Sequence, residues 1–239
     1  MAIRKRGCGC GCGRAIVSLF LTLVVIAVVV LGVREAFYRY MFPVKYETYV
    51  AETSAELGVP ETLIFAVIQT ESGFDPEARS EVGARGLMQI TEETFDWLRT
   101  KEDFGATDIT FEDLDQPDIS IAYGTYFLQL LLSEFDGDIP TAMSAYHAGR
   151  GSVHSWLEQK KYSENGVTLD TIPKDDTAYY VQKVQRAMAV YEKRLNGSAD
   201  ENENLVRLRT NVDRFLDAYV VPLFDGLFDK LGNRLSIRV

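Results

Sequence analysis

Cysteine is absent beyond Cys12, so whatever folds after that point does so without disulfides. A chain of this size can bury enough apolar surface to manage it. Cys8, Cys10 and Cys12 alternate with glycine, a spacing too tight for a zinc site built from two separated ligand pairs. A lipoprotein signal would place its cysteine after an apolar run, whereas these precede one. Palmitoylation beside a membrane fits them, and so does a flexible tag without function. Histidine is scarce: His147 and His154 are the only two, seven positions apart and without a carboxylate cluster, so no metal site is expected. Runs of alternating polar and apolar residues are missing, which argues against a sheet, and no internal repeat is present.

Positive charge is scarce after the first segment. Residues 1–45 hold seven Lys/Arg and one acid, so the total of −10 leaves about −16 on the remainder. Such a domain repels nucleic acid and anionic surfaces. It remains free to bind a polymer through neutral sugar contacts, and simple solubility accounts for the charge equally well.

What is present begins with an uncharged run. Ala15–Val33 (AIVSLFLTLVVIAVVVLGV) rises about 28 Å as a helix, close to the hydrocarbon thickness of a bilayer. Arg4, Lys5, Arg6 and Arg14 precede it and by the positive-inside rule hold the N-terminus in the cytoplasm. A cleaved signal peptide is the competing reading. The run exceeds the usual apolar core of such a peptide, and Gly32-Val33-Arg34-Glu35 offers no small-x-small cleavage site. The expectation is a retained single-pass anchor at 15–33, a basic Gly/Cys cytoplasmic segment at 1–14, and an exported remainder.

The exported part reads as mainly α. Tyr46, Tyr49, Val50, Thr53 and Leu57 mark one helix ending at Gly58. Pro60 opens the next, which Gly73 can end. Ile64, Val67, Ile68 and Glu71 share one face of it. Gly73–Gly86 is a loop. Thr91 caps a helix through Leu98, with Glu92 and Glu93 near its positive end. Pro117–Phe135 supplies a buried central helix, and Asp138 with Pro140 opens another that ends near Ala148. Asp175 or Asp176 caps the last helix, whose inner face holds Val181, Val184, Met188 and Tyr191. A polar linker follows at 196–204. Beyond it, at 205–239, Phe215, Leu216, Tyr219, Leu223, Leu227 and Leu231 recur at helical spacing. That amphipathic tail is expected to pack on protein, with self-association or the membrane face as alternatives.

Glu71 is the informative oddity. A carboxyl at the end of an apolar stripe is poorly solvated, so its charged form is disfavoured and it keeps a proton near neutrality. On this helix alone, a side chain turned toward solvent explains it as well.

Four blocks in order change that balance: Glu71-Ser72-Gly73-Phe74-Asp75-Pro76, Gly83-Ala84-Arg85-Gly86-Leu87-Met88-Gln89-Ile90, Ala145-Tyr146-His147-Ala148-Gly149 and Tyr179-Tyr180-Val181. Together they resemble the catalytic domain of the lytic transglycosylases of the soluble, goose-lysozyme-like type, over residues 45–195. The resemblance implies a lysozyme-like helical domain acting on peptidoglycan glycan strands, with no cofactor and no metal. It implies that Glu71 is the single catalytic acid. Ser80 would lie near the acid and the substrate's acetamido group. Gly86, Met88 and Gln89 would belong to the loop that lines the cleft, with Gln89 on a sugar. Tyr146 would flank the scissile bond, and Tyr180 matches the tyrosine of the last block. Two positions depart from the family pattern: His147 stands where Asn is usual, and Asp176 where Glu is usual. An imidazole replaces one amide hydrogen bond but not both. Taken without the resemblance, Ser80 reads as a turn cap, Tyr146 as a core tyrosine, and Gly86-Leu87-Met88 as an ordinary turn with a buried Met.

The chemistry of a lone acid agrees with that resemblance. Glycosidic cleavage usually takes two carboxylates, yet Asp75, Glu77 and Glu81 sit in no recognisable partner block. One acid suffices when the substrate's N-acetyl group supplies the second function. The expected product is a 1,6-anhydromuramyl end. A hydrolase on the same scaffold and a non-catalytic glycan-binding scaffold protein are the alternatives. Protein partners cannot be read from the chain.

Overall fold

The computed structural model describes residues 11–101 and 108–196, together with positions 214 and 218. The segments 1–10 and 197–204, and the tail 205–239 apart from those two positions, lie outside the described residues. The chain divides into two units.

In the first unit, α1 (Gly11–Met41) is one uninterrupted helix. Its portion Ile16–Met41 is long and apolar enough to cross a membrane. The helix outlasts the apolar run that ends at Val33, continuing through Arg34, Glu35 and Arg39, where Arg39 and Glu35 pair at 3.5 Å one turn apart.

The second unit, Phe42–Glu201, holds seven further helices among the described residues. They are α2 (Glu47–Leu57), α3 (Glu61–Glu71), α4 (Glu92–Arg99), α5 (Pro117–Glu134), α6 (Ile139–Ala148), α7 (Arg150–Leu157) and α8 (Asp175–Asn196), with a 3-10 turn at Phe111–Asp115. Local chemistry explains most boundaries. Gly58 ends α2 in the left-handed region at φ 68°. Thr91 accepts the amide of Thr94 at 3.2 Å, and Asp138 accepts that of Thr141 at 2.8 Å, so both cap as their sequences predict. At α8 the helix already includes Asp175, so both aspartates lie in its first turn rather than at the cap.

α3 is the centre of the unit and packs chiefly on α8. Leu63 through Ile68 are six consecutive buried residues. The single apolar face inferred from spacing is therefore too narrow: along this stretch α3 has no polar face, as expected of a helix enclosed on all sides. Phe65 stacks on Tyr191 of α8 with centroids 5.3 Å apart, and the Tyr191 hydroxyl donates to the carbonyl of Pro43 at 3.0 Å. Arg194 reaches the carbonyl of Phe42. The end of α8 thus secures the entry of the chain into this unit. Burying an aliphatic side chain of this core contributes about 1.5–3 kcal/mol, so α3 is held in place far more by packing than by intrinsic helix propensity.

α5 provides the floor under the 73–90 loop. Gly124 has no side chain where Met88 lies: a Cβ there would come within 2.3 Å of the Met88 sulfur. Ser120 accepts the Met88 amide at 3.3 Å. α7 is the element that spacing does not predict, because Gly149-Arg150-Gly151 reads as loop. In the structure Gly149, at φ 85°, turns the chain between α6 and α7 with no intervening segment.

Candidate active site

Two helices and one loop converge on the C-terminal residue of α3. α8 contributes Tyr180, whose hydroxyl donates to Glu71 Oε1 at 2.6 Å across 109 residues of sequence. α6 contributes Tyr146 and His147. Tyr146 donates to the carbonyl of Met88 at 2.6 Å, and His147 stacks on the Tyr180 ring with centroids 4.5 Å apart. Its Nδ1 lies 3.3 Å from the Thr177 hydroxyl.

The loop is bound to the end of α3 by Ser72, whose hydroxyl donates to the Leu87 carbonyl at 2.8 Å. It is folded on itself by paired backbone bonds between Arg85 and Ile90 at 3.0 and 3.1 Å. Gln89 sits at φ 48°, a conformation with a strain cost for a residue with a Cβ. Its amide nitrogen donates to the carbonyls of Ala78 and Gly86 at 3.0 and 2.9 Å. Both amide protons therefore brace the loop, which leaves only the amide oxygen to meet a sugar.

The remaining predicted residues fall into two groups. Gly86 and Met88 present no side chain to a ligand. Gly86 lies at φ +77° with the Leu114 carbonyl 2.0 Å from where a Cβ would be, and Met88 is fully buried. The Met88 side chain packs on α5, as a turn with a buried Met would have it, and its carbonyl accepts the Tyr146 hydroxyl. Ser80 accepts the amide of Ala84 at 2.9 Å, closing a turn. Asp176 is exposed and accepts the amide of Thr177 at 2.7 Å. That bond is the main reason its carboxyl stays below the usual range. Its charge acts on His147 rather than on Glu71.

The electrostatics separate these groups by role. Burial pushes the Glu71 carboxyl up to about 7, against the opposing effects of the Tyr180 bond and the charge of Lys183. Burial, and then the charge of Glu71, raise Tyr146 well above the ordinary tyrosine range, and the same causes act on Tyr180. Both phenols therefore remain hydrogen-bond donors. Burial holds His147 below its usual range, Asp176 opposing and Lys174 assisting, so the imidazole is neutral at pH 7.

Asp75, Glu77 and Glu81 are exposed on the loop, and none is among the groups acting on Glu71. Among the described residues, no group of His, Cys, Asp or Glu is arranged to hold a metal ion. The arrangement can deliver one proton at neutral pH and take one back. Sequence reasoning missed Ser72 as the loop anchor and Lys183, whose ammonium donates to the Thr70 carbonyl at 3.2 Å. The position of Lys183, one turn after Tyr180, was the available signal.

Known proteins share this arrangement of helices. The chain is 30% identical over 152 residues to the soluble lytic murein transglycosylase of Salmonella typhimurium, covering 63% of this chain and 23% of the relative. It is 32% identical over 171 residues to the membrane-bound lytic murein transglycosylase C of Serratia proteamaculans, covering 63% and 47%. The chain thus spans less than half the length of these curated relatives. The lytic transglycosylase Slt of Pseudomonas aeruginosa, solved as an inactive glutamate-to-glutamine variant, superposes with a TM-score of 0.58 at 32% identity, covering 65% of this chain and 25% of that one. The Transglycosylase SLT domain model matches residues 48–167, ending before α8 and Tyr180. Matched along half its length, with the fold of its relatives, the chain belongs to the SLT transglycosylase domain family.

Proposed function

We propose that this domain is a peptidoglycan lytic transglycosylase that cleaves the β-1,4 bond between MurNAc and GlcNAc without water. The observation that carries the reading is the Glu71 carboxyl, raised to about 7 and held by the Tyr180 hydroxyl with no second carboxylate acting on it. In the first step the N-acetyl oxygen of the muramyl sugar attacks its own anomeric carbon. The bond from that carbon to the leaving oxygen breaks as Glu71 gives that oxygen its proton. In the second step the Glu71 carboxylate removes the proton of the sugar's O6 hydroxyl. O6 then closes onto the anomeric carbon, opens the N-acetyl ring, and leaves a 1,6-anhydro end and a protonated Glu71. A group with a pKa near 7 serves both steps without a large barrier in either direction.

Tyr180 keeps the carboxyl aimed and supports its anionic form. Tyr146 and the Gly86–Ile90 loop wall the site beside it, and His147, neutral and stacked on Tyr180, offers one ring nitrogen to a sugar. The inactive glutamine variant of the Pseudomonas aeruginosa relative supports a glutamate at the centre of the chemistry. α1 would tether the enzyme to the cytoplasmic membrane, with the short basic end inside and the catalytic domain outside.

Purified sacculi digested by the full chain and by Glu71→Gln, followed by mass spectrometry of the products, test this reading. Anhydromuramyl ends from the wild type and none from the variant are expected. Reducing ends alone would make the enzyme a hydrolase, and equal lysis by both proteins would remove Glu71 from the reaction.

A further inference from the structure

Glu71 closes α3, where the last carbonyls of a helix lack intrahelical partners and carry the negative end of its dipole. A carboxylate formed there meets both burial and that dipole, so the anionic interval of the reaction needs a compensating charge. α8 provides one. Lys183 stands three residues after Tyr180, on the same face, and its ammonium donates to the carbonyl of Thr70, the residue before Glu71, at 3.2 Å. Two neighbouring positions of α8 thus grip two consecutive residues of α3: a phenol on the carboxylate and an ammonium on the adjoining carbonyl.

The other groups facing Glu71 are few. α6 brings Tyr146, with neutral His147 behind the Tyr180 ring. Lys174 and Asp176 act on His147. No side chain of α2 or of the 73–90 loop is among the groups acting on the Glu71 charge. Lys183 is the cation that does so.

We propose that Lys183 is a positioning residue of the reaction: tethered to Thr70, it holds a fixed positive charge beside the Glu71 carboxylate from the moment Glu71 gives up its proton until it takes another from the sugar. This rests on the reading of Glu71 as acid and base. Lys183 forms no covalent bond. Its side chain is exposed, so replacing it leaves the core intact.

The experiment compares wild type, Lys183→Met and Lys183→Arg as full chains in detergent. Two readouts are followed against pH: release of anhydromuramyl ends, and protonation of Glu71 by infrared difference against Glu71→Gln. With methionine, both the protonation midpoint and the upper limb of the rate profile move to higher pH, and the rate at pH 6 falls about tenfold, as for loss of a nearby opposite charge. Arginine restores the midpoint and most of the rate. An unchanged midpoint in Lys183→Met overturns the proposal, and so does a rate loss that arginine fails to rescue. If Glu71→Gln is as active as wild type while the infrared midpoint still moves, the catalytic reading fails and the local charge effect stands.

Discussion

Two helices of this domain end on a partly buried glutamate, and the chain treats them in opposite ways. Glu71 closes α3 and Glu134 closes α5. Burial works to raise both carboxyls. At Glu71 that effect prevails, and the group rises to about 7. At Glu134 burial is outweighed by bonds from Arg150 and His154, which hold the group below the usual range. Arg150 binds it through two nitrogens at 2.6 and 3.0 Å, and His154 approaches at 2.5 Å. Both partners come from α7, one turn apart, and Arg150 also lies 4.6 Å above the Trp97 ring of α4. The difference is one of depth as well as of partner: Glu71 is much the more deeply buried, and only Glu134 has partners strong enough to outweigh burial. A carboxylate met by a forked guanidinium becomes a strut between helices. A carboxyl met by a phenol and a lysine bonded to a neighbouring carbonyl keeps a proton to give.

The hardest test of that contrast removes the titratable proton while preserving shape. Glu71→Gln should lower the rate of anhydro-end formation by about 10²–10⁴-fold, the usual loss for a general acid, with the Tyr180 bond available to the amide oxygen. The same change at Glu134 should leave the rate within about twofold of wild type, since nothing places that group among the reacting atoms. Comparable losses at the two sites would dissolve the distinction.

Stability provides a second test, with a sign that activity cannot mimic. The folded-state pKa of Glu71 is raised from 4.5 to about 7. Across that interval the folded chain holds a proton that the unfolded chain has released, so stability falls as pH rises from 4.5 to 7 and is flat above. Glu71→Gln escapes this loss. The variant should match wild type near pH 4.5 and exceed it by about 2–3 kcal/mol at pH 8, read by chemical denaturation. A variant less stable than wild type at pH 8 would mean the carboxyl is not desolvated in the folded protein.

Tyr180 sharpens the same point. Its bond favours the Glu71 anion, so Tyr180→Phe should move the upper limb of the rate profile to higher pH and slow the reaction about tenfold at pH 6. A limb displaced downward would show that Tyr180 favours the acid form instead.

Much of the scaffold was legible because it rests on short-range chemistry. Thr91 and Asp138 cap the helices they precede, Gly58 ends α2, and Pro117 starts α5, each a rule acting over a few residues. The site was legible in its blocks, since Glu71, Tyr146, His147 and Tyr180 do meet. Their bonds were not. Nothing local to Met88 says that its side chain belongs to α5 while its carbonyl belongs to Tyr146. Gln89 does not announce that its amide nitrogen serves the loop, whereas Ser80 closes a turn as its residue type alone suggests. The Glu134 strut escaped notice for a related reason. Arg150 and His154 are four apart on α7, but Gly149 and Gly151 disguise that helix, and without it the two residues share no face.

The smallest effect concerns that strut. Glu134→Gln keeps the size of the side chain but leaves one acceptor oxygen where the carboxylate has two, so the fork of Arg150 loses one of its bonds and the charge that strengthens the others. Because the group is partly solvated, the loss at pH 7 should be about 1–2 kcal/mol rather than the larger cost of breaking a fully buried pair. Its pH dependence runs opposite to that at Glu71. The folded-state pKa is depressed, so the stabilisation is present above the ordinary glutamate range and disappears as pH falls through the folded value. The gap between wild type and Glu134→Gln should therefore be full at pH 7 and close under acid. The gap for Glu71→Gln should favour the variant and open toward alkaline pH. Denaturation curves for both variants at pH 4, 6 and 8 would show two glutamine substitutions with opposite signs. Gaps of the same sign would mean that the bonds from α7 do not outweigh burial at Glu134.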